Sequence, residues 1–284
     1  MSRVREQLKN KKRIVIKLGT STIVHPETGG VNYVKLEKLV RFVCNLKNQG
    51  KDVVLVSSGA IAVGVKTIGL GRKPRTTSLK QACAAIGQGQ LMMVYQKLFS
   101  EYHQASAQVL LTYDVITNNE RRLNAVNTFN ELLQLDTIPI VNENDTVATE
   151  EIEFGDNDTL SAIVASLIKG DLLILMSDID GLYTDDPNTN ADAKMVPLVD
   201  EITEELRGMG KGSSTNYGTG GMATKISAAS IATDSGADMA IINGERIENL
   251  DLLMDGAEIG TIFKAHRVKN FDLVRHLNDK DFQG

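Results

Sequence analysis

Residues 171–178 read DLLILMSD, in which Leu172 through Met176 are all large and apolar before the run closes on Ser177 and Asp178. A strand with one face in water alternates apolar and polar residues. A run without alternation belongs to a strand covered on both faces, as strands are in a parallel sheet layered by helices. Related runs recur as RIVIKLG (13–19), DVVLVSSG (52–59), AQVLLT (107–112), TIPIVNEN (137–144) and DMAIING (238–244), most of them ending in small or polar residues.

Between these runs the apolar period changes. NYVKLEKLVRFVCNLKNQG (32–50) and ERRLNAVNTFNELLQL (120–135) carry apolar residues at helical spacing, and Gly50 closes the first as a helix terminator. The order is βαβα, which predicts a three-layer α/β/α sandwich around a mainly parallel central sheet. ATEEIEFG (148–155) reads as part of a small hairpin projecting from that sheet. No repeat, low-complexity tract or linker divides the chain, so residues 1–284 are expected to form one domain.

Composition excludes several classes. With 284 residues, 42% hydrophobic and 24% charged, the chain has ample apolar material for a core. A net charge of -5 gives no broad basic footprint, so no nucleic-acid partner is expected and an anionic ligand would need local donors. Cys44 and Cys83 lack metal-ligand spacing and read as free buried thiols in a reducing compartment. MSRVREQLKNKKR (1–13) is basic without a following apolar segment, and no run is long enough to span a bilayer. The expectation is a soluble, cytoplasmic protein with no membrane partner.

In a parallel sheet, ligands bind outside the carboxyl ends of the strands. There this chain places Lys17, Gly19 and Thr20; Ser57, Ser58 and Gly59; Asn142 through Asp145; and Ser177 with Asp178. Glycines at such ends let backbone N–H groups approach a ligand, though they also serve ordinary turns. A lysine inside an apolar strand is unfavourable unless its ammonium finds a partner, which singles out Lys17; a solvated strand end is the alternative. No P-loop motif is present, and the glycine pairs of GLGRKP (69–74) and AIGQGQL (85–91) lack the context of a dinucleotide fingerprint. YGTGGMATKISAASIA (217–232) runs from a glycine-rich loop into a helical pattern with Lys225 in an early turn. It reads equally as a polyphosphate cradle or as a mobile loop with a solvated lysine.

VIKLGTS (15–21), VSSGAIAVG (56–64), PIVNENDTVA (139–148), FGDNDTLSA (154–162), SDIDGLYTDDP (177–187) and GTGGMATK (218–225) occur in the order found in the glutamate 5-kinases. The resemblance runs from Arg13 to GTIFKA (260–265), and the combined motifs are specific for that family within the amino acid kinase superfamily. It implies the amino acid kinase fold, with an amino-acid-binding lobe over about 1–170 and a nucleotide-binding lobe over about 171–284. It also implies transfer of the γ-phosphoryl group of ATP to the side-chain carboxylate of L-glutamate, the first step of proline biosynthesis.

The residue roles that follow are those the resemblance implies. Lys17 and Lys225 would carry positive charge to the transferred group, with Asp158 orienting both. Ser58, Gly59, Asp145 and Asn157 would meet the amino acid, with Asn142 and Asp156 bracing their loops; the acids Glu143, Glu150, Glu151 and Glu153 read as solvated. Lys17, Gly19, Ser177, Asp178 and the segment Thr219, Gly220, Gly221, Met222, Ala223, Thr224 and Lys225 would border ATP, with GLYTDDP (181–187) beside the base or ribose. Mg²⁺ would accompany ATP without a protein ligand. Feedback inhibition by proline, a dimer or tetramer of identical subunits, and no C-terminal PUA domain complete the expectation. Arg122, Val126 and Tyr113 depart from the family pattern at places that bear on subunit packing or regulation rather than on chemistry.

Three other readings compete. An acetylglutamate kinase would act on a blocked amine, to which the carboxylate of Asp145 has little to offer. Asp178-x-Asp180-Gly181 resembles the opening motif of haloacid-dehalogenase phosphatases, but Leu182 stands where those have Thr or Val, and the motif lies past the middle of the chain. A silent amino-acid sensor would not need Lys17, Asp158 and Lys225.

Overall fold

The computed structural model describes residues 3–147, 157–209 except 186, 188 and 191, and 221–278. A short helix Arg3–Gln7 (α1) leads into β1 (Arg13–Leu18), a single turn Thr20–Ile23 (α2), α3 (Tyr33–Asn48) and β2 (Asp52–Ser57). Next come α4 (Ala60–Thr67), α5 (Thr77–Ser100), β3 (Ser106–Leu111), α6 (Tyr113–Thr117), α7 (Asn119–Gln134) and β4 (Ile138–Glu143). The remainder comprises α8 (Asn157–Leu167), β5 (Leu172–Ser177), β6 (Leu198–Val199), α9 (Glu204–Met209), α10 (Met222–Ser235), β7 (Asp238–Asn243), α11 (Asn249–Met254), β8 (Thr261–Phe263) and α12 (Leu273–Asn278).

Among the described residues eight strands form one sheet in the order β3-β4-β2-β1-β5-β7-β8-β6. Every pairing from β3 to β7 is parallel; β8 runs antiparallel to β7 and carries β6 parallel to itself. Side chains alternate faces along a strand, and that parity explains the unbroken apolar runs. Ile14, Ile16, Leu172, Ile174 and Met176 enter a core shared with α3, α5 and α11. Val15, Val54, Val56, Leu173 and Leu175 enter a second core under α7, α8, α10 and α12. Each fully buried Leu, Ile or Val contributes roughly 1.5–3 kcal/mol against exposure, so both faces exclude polar residues.

The parity also places the odd residue. Lys17 shares its face with Val15, which points its ammonium beneath α8 and α10 rather than into the α3 and α5 layer.

One expectation is modified. AQVLLT forms β3, but β3 is the edge strand, and of its residues only Leu111 is buried. The AIGQGQL glycines lie inside α5, where Gly87 passes the backbone of α4 so closely that a Cβ there would stand 1.8 Å from the Ala60 carbonyl oxygen. Gly64 on α4 does the same toward Cys83 of α5, so these two glycines permit a helix contact rather than a turn. The short β6 and β8, with too few residues to show a period, close the sheet. The hairpin expected over 148–155 lies outside the described residues.

Other expectations stand. Gly50 ends α3 with φ +72°, and Cys44 and Cys83 are free and buried. Among the described residues no helix is long and apolar enough to cross a membrane. Arg5 on α1 buries its guanidinium and donates to the carbonyls of Pro197, Ala257, Ile259 and Gly260 at 2.7–2.9 Å, tying the first helix to the strand pair that closes the sheet.

Candidate active site

At the carboxyl end of β1, Lys17 extends its Nζ to within 2.6 Å of Asp158 Oδ1. From α10, Lys225 Nζ donates to the other carboxylate oxygen at 3.0 Å. Lys17, Asp158 and Lys225 are 9%, 1% and 4% exposed, so all three charges are withdrawn from water. Burial alone would raise the Asp158 pKa; the two ammonium groups outweigh it and hold the carboxyl below its ordinary value. Asp158 also sits in the first turn of α8, where a helix favours negative charge. The group carries one net positive charge, suited to an anion.

Two glycine turns adjoin it. Gly19 caps α2, and a Cβ there would lie 4.0 Å from Lys17 Nζ and 3.4 Å from the Met176 carbonyl oxygen of β5. Gly59 caps α4 with φ +92°, a left-handed conformation that favours glycine. Its Cα faces Ile23 and Thr20 of α2, so the loops after β1 and β2 pack together.

A second cluster lies on the β2 and β4 side. Asn157 Nδ2 faces Ser58 Oγ at 2.8 Å, Asn142 Oδ1 at 3.1 Å and the Ser57 carbonyl at 3.3 Å. Asn142 in turn donates its Nδ2 to Gln88 Oε1 of α5 at 3.0 Å, and Ser57 Oγ meets Tyr95 Oη of the same helix at 3.0 Å. Burial pushes the Tyr95 phenol well above its ordinary pKa, so it remains a neutral hydroxyl. Asp145 is half-buried in the turn that follows β4, next to this cluster in sequence.

The other described residues expected to border ATP lie at the end of β5 and at the first turn of α10. Ser177 Oγ donates to the exposed carboxylate of Asp178 at 3.0 Å beyond β5. Gly221 caps α10, and Met222, Ala223, Thr224 and Lys225 form its first turn, with Thr224 Oγ1 donating to the Gly221 carbonyl at 2.8 Å. Thr219 and Gly220 lie outside the described residues, as does Asp156. A cavity of about 420 Å³ opens at the end of β7, walled by Asp180, Tyr183, Met195, Asn243, Glu245 and the segment around Gly260.

Of the departures from the family pattern, Arg122 ties α7 to the Ile116 carbonyl of α6 at 2.6 Å. Sequence reading singled out neither Gln88 nor Tyr95. A glutamine and a tyrosine on a buried helix carry no motif that would have found them.

The family model described as the amino acid kinase family matches residues 12–243. The glutamate 5-kinase of Carboxydothermus hydrogenoformans is 52% identical over 281 residues, covering 99% of this chain and 75% of that protein. That of Clostridium perfringens is 52% identical over 268 residues, covering 93% and 99%. Among solved structures, a carbamate kinase from Giardia lamblia bound to AMP-PNP superposes with a TM-score of 0.63 at 14% identity over 90% of this chain and 99% of that one. An isopentenyl phosphate kinase from T. acidophilum gives 0.60 at 17% identity over 89% and 100%; at such identities the likeness concerns the fold.

Proposed function

The chain belongs to the amino acid kinase family and, within it, to the glutamate 5-kinases, and from that premise we propose that it phosphorylates the side-chain carboxylate of L-glutamate with ATP, giving L-glutamyl 5-phosphate for proline biosynthesis. The observation that carries the reading is the buried carboxylate of Asp158 held between Lys17 and Lys225. A glutamate carboxylate oxygen forms a bond to the γ-phosphorus while the bond to the bridging oxygen of ADP breaks. Negative charge from both reactants converges there, and two fixed ammonium groups offset it without a covalent intermediate. Asp158 keeps the lysines in place before the nucleotide arrives.

We assign the amino acid to the strand ends that carry Ser58, Gly59, Asn142, Asp145 and Asn157. Asp145 offers the α-ammonium an anionic acceptor, and the neighbouring amides avoid the repulsion that further carboxylates would impose on the substrate. We assign the triphosphate to the path from Gly19 and Lys17 to the first turn of α10, including Thr219 and Gly220, with Ser177 and Asp178 on its border. The cavity beside Tyr183 supports the base or ribose there. These halves correspond to lobes over about 1–170 and 171–284 of one domain.

Mg²⁺ bound with ATP would neutralise phosphate charge. Two ammonium groups and a carboxylate engaged by both offer a cation little, so phosphate oxygens and water would be its ligands. The same reading extends to proline as feedback inhibitor in the amino-acid pocket, to a homo-oligomer and to the cytoplasm. The exposed Ile86 and Met93 of α5 and Leu123 of α7 support a subunit contact.

The test is incubation with Mg-ATP and hydroxylamine, which traps an acyl phosphate as hydroxamate. Product from L-glutamate and none from N-acetyl-L-glutamate is expected. Product from the acetylated substrate alone would move the activity to a blocked-amine kinase, and product from neither would refute the reading.

A further inference from the structure

We propose that Gln88, which lies in the middle of α5, is a positioning residue that holds the amide chain of the amino-acid pocket in the one direction its fixed groups allow. The proposal rests on the assignment of that pocket to glutamate. A chain of side-chain amides runs from Gln88 through Asn142 to Asn157. Each amide has a donor end and an acceptor end, so the orientation of one constrains the next.

Two reversed orientations are conceivable for such a chain, and fixed groups select between them. The Ser57 backbone carbonyl, 3.3 Å from Asn157 Nδ2, can only accept. Were Asn157 reversed, its Oδ1 would face that carbonyl oxygen, so its Nδ2 must point inward toward Ser57, Ser58 and Asn142. Asn142 therefore presents Oδ1 to Asn157 and Nδ2 to the far side, where an acceptor is required. Gln88 Oε1 supplies it at 3.0 Å from a side chain only 9% exposed, as Asn142 is at 4%.

With its nitrogen turned inward, Asn157 turns Oδ1 outward. A pocket for a free amino acid needs acceptors for an ammonium, and this oxygen is added to the carboxylate of Asp145. Tyr95, two turns along α5 from Gln88, meets Ser57 Oγ and steadies the strand end that bears the selecting carbonyl. One helix thus supports the pocket at the ends of both β2 and β4 without touching substrate.

Three substitutions test this with the hydroxamate assay, varying glutamate and ATP separately. Q88E keeps an acceptor in either protonation state and is expected to hold the glutamate KM within about threefold of the parent. Q88M fills the same space without an acceptor and is expected to raise the glutamate KM about tenfold, the scale of one lost buried hydrogen bond, with the ATP KM and the unfolding midpoint nearly unchanged. Should Q88M fail to fold, Q88A carries the same expectation.

A merely structural role would shift both KM values together or lower the unfolding midpoint, and would not separate Q88E from Q88M. Either pattern, or a glutamate KM unmoved in Q88M and Q88A, overturns the role of Gln88 while the parent still turns over glutamate. A parent protein that makes no hydroxamate from glutamate overturns the pocket assignment and this proposal with it.

Discussion

Replacing Asp158 with asparagine removes one charge and almost no volume from a site that is 1% exposed. The carboxylate holds Lys17 at 2.6 Å and Lys225 at 3.0 Å. Unit charges about 4 Å apart at an effective dielectric of 20 attract by about 4 kcal/mol before desolvation is counted. Stripping the partner from a buried charge typically costs about 3–5 kcal/mol. Asp158→Asn leaves two buried ammonium groups facing a neutral amide, so the nucleotide-free protein should lose about that amount in a urea titration. Mg-ATP should recover part of the loss, because the triphosphate returns negative charge between the lysines. Turnover should fall about 100-fold, since the amide orients at most one lysine at a time. The pH dependence has a definite sign. The folded pKa of Asp158 is depressed, so its contribution is complete above the ordinary carboxylate pKa of about 4 and is lost as pH falls toward the folded value. The stability gap between parent and variant should therefore narrow in acid. An unchanged urea midpoint without nucleotide would refute the account of the lysines as held by this carboxylate.

Gly87→Ala would press a methyl group against the Ala60 carbonyl at 1.8 Å, so about 3 kcal/mol of stability should be lost, together with a higher glutamate KM as α4 shifts the turn at Gly59. Thermal denaturation and steady-state kinetics read the two effects. Arg5→Lys cannot reach four carbonyls with one compact ammonium; about 2 kcal/mol should be lost, and hydrogen exchange at residues 257–263 should accelerate. Burial pushes the Cys44 thiol up to about 11, so thiol reagents at pH 8 should label it only as the protein unfolds. Because that pKa is raised, its contribution is complete below the ordinary thiol value of about 8.5 and is lost as pH climbs toward 11.

The central strands were legible because burial on both faces forces a long apolar run, as at Leu172–Met176. β6 and β8 were not, because two and three residues hold no period and their place depends on pairing with a distant strand. The glycines of α4 and α5 gave no sign of the helix contact they permit, since a glycine that lets two helix backbones meet looks the same in sequence as one that breaks a helix. Within the site, the desolvation of a lysine in an apolar strand gave an independent physical reason for Lys17. Asp158 came through the family resemblance alone, and Lys225, in a glycine-rich loop and helix that read equally as a cradle or a solvated lysine, gained its role there too, because the contact between α8 and α10 joins positions 67 residues apart. Asn142 carried the expectation of a brace, and its hydrogen-bond partner Gln88 lies beyond any local pattern.

Arg5 imposes an order in time on synthesis, because its four acceptors lie 192 to 255 residues downstream and its guanidinium waits for all of them to follow it from the ribosome. Until Gly260 has emerged, α1 has no such anchor, and the half-built sheet ends at β7. The closing of the strand pair and the docking of the first helix then become a single event, which ties the arrival of the last strands of the sheet to the anchoring of α1.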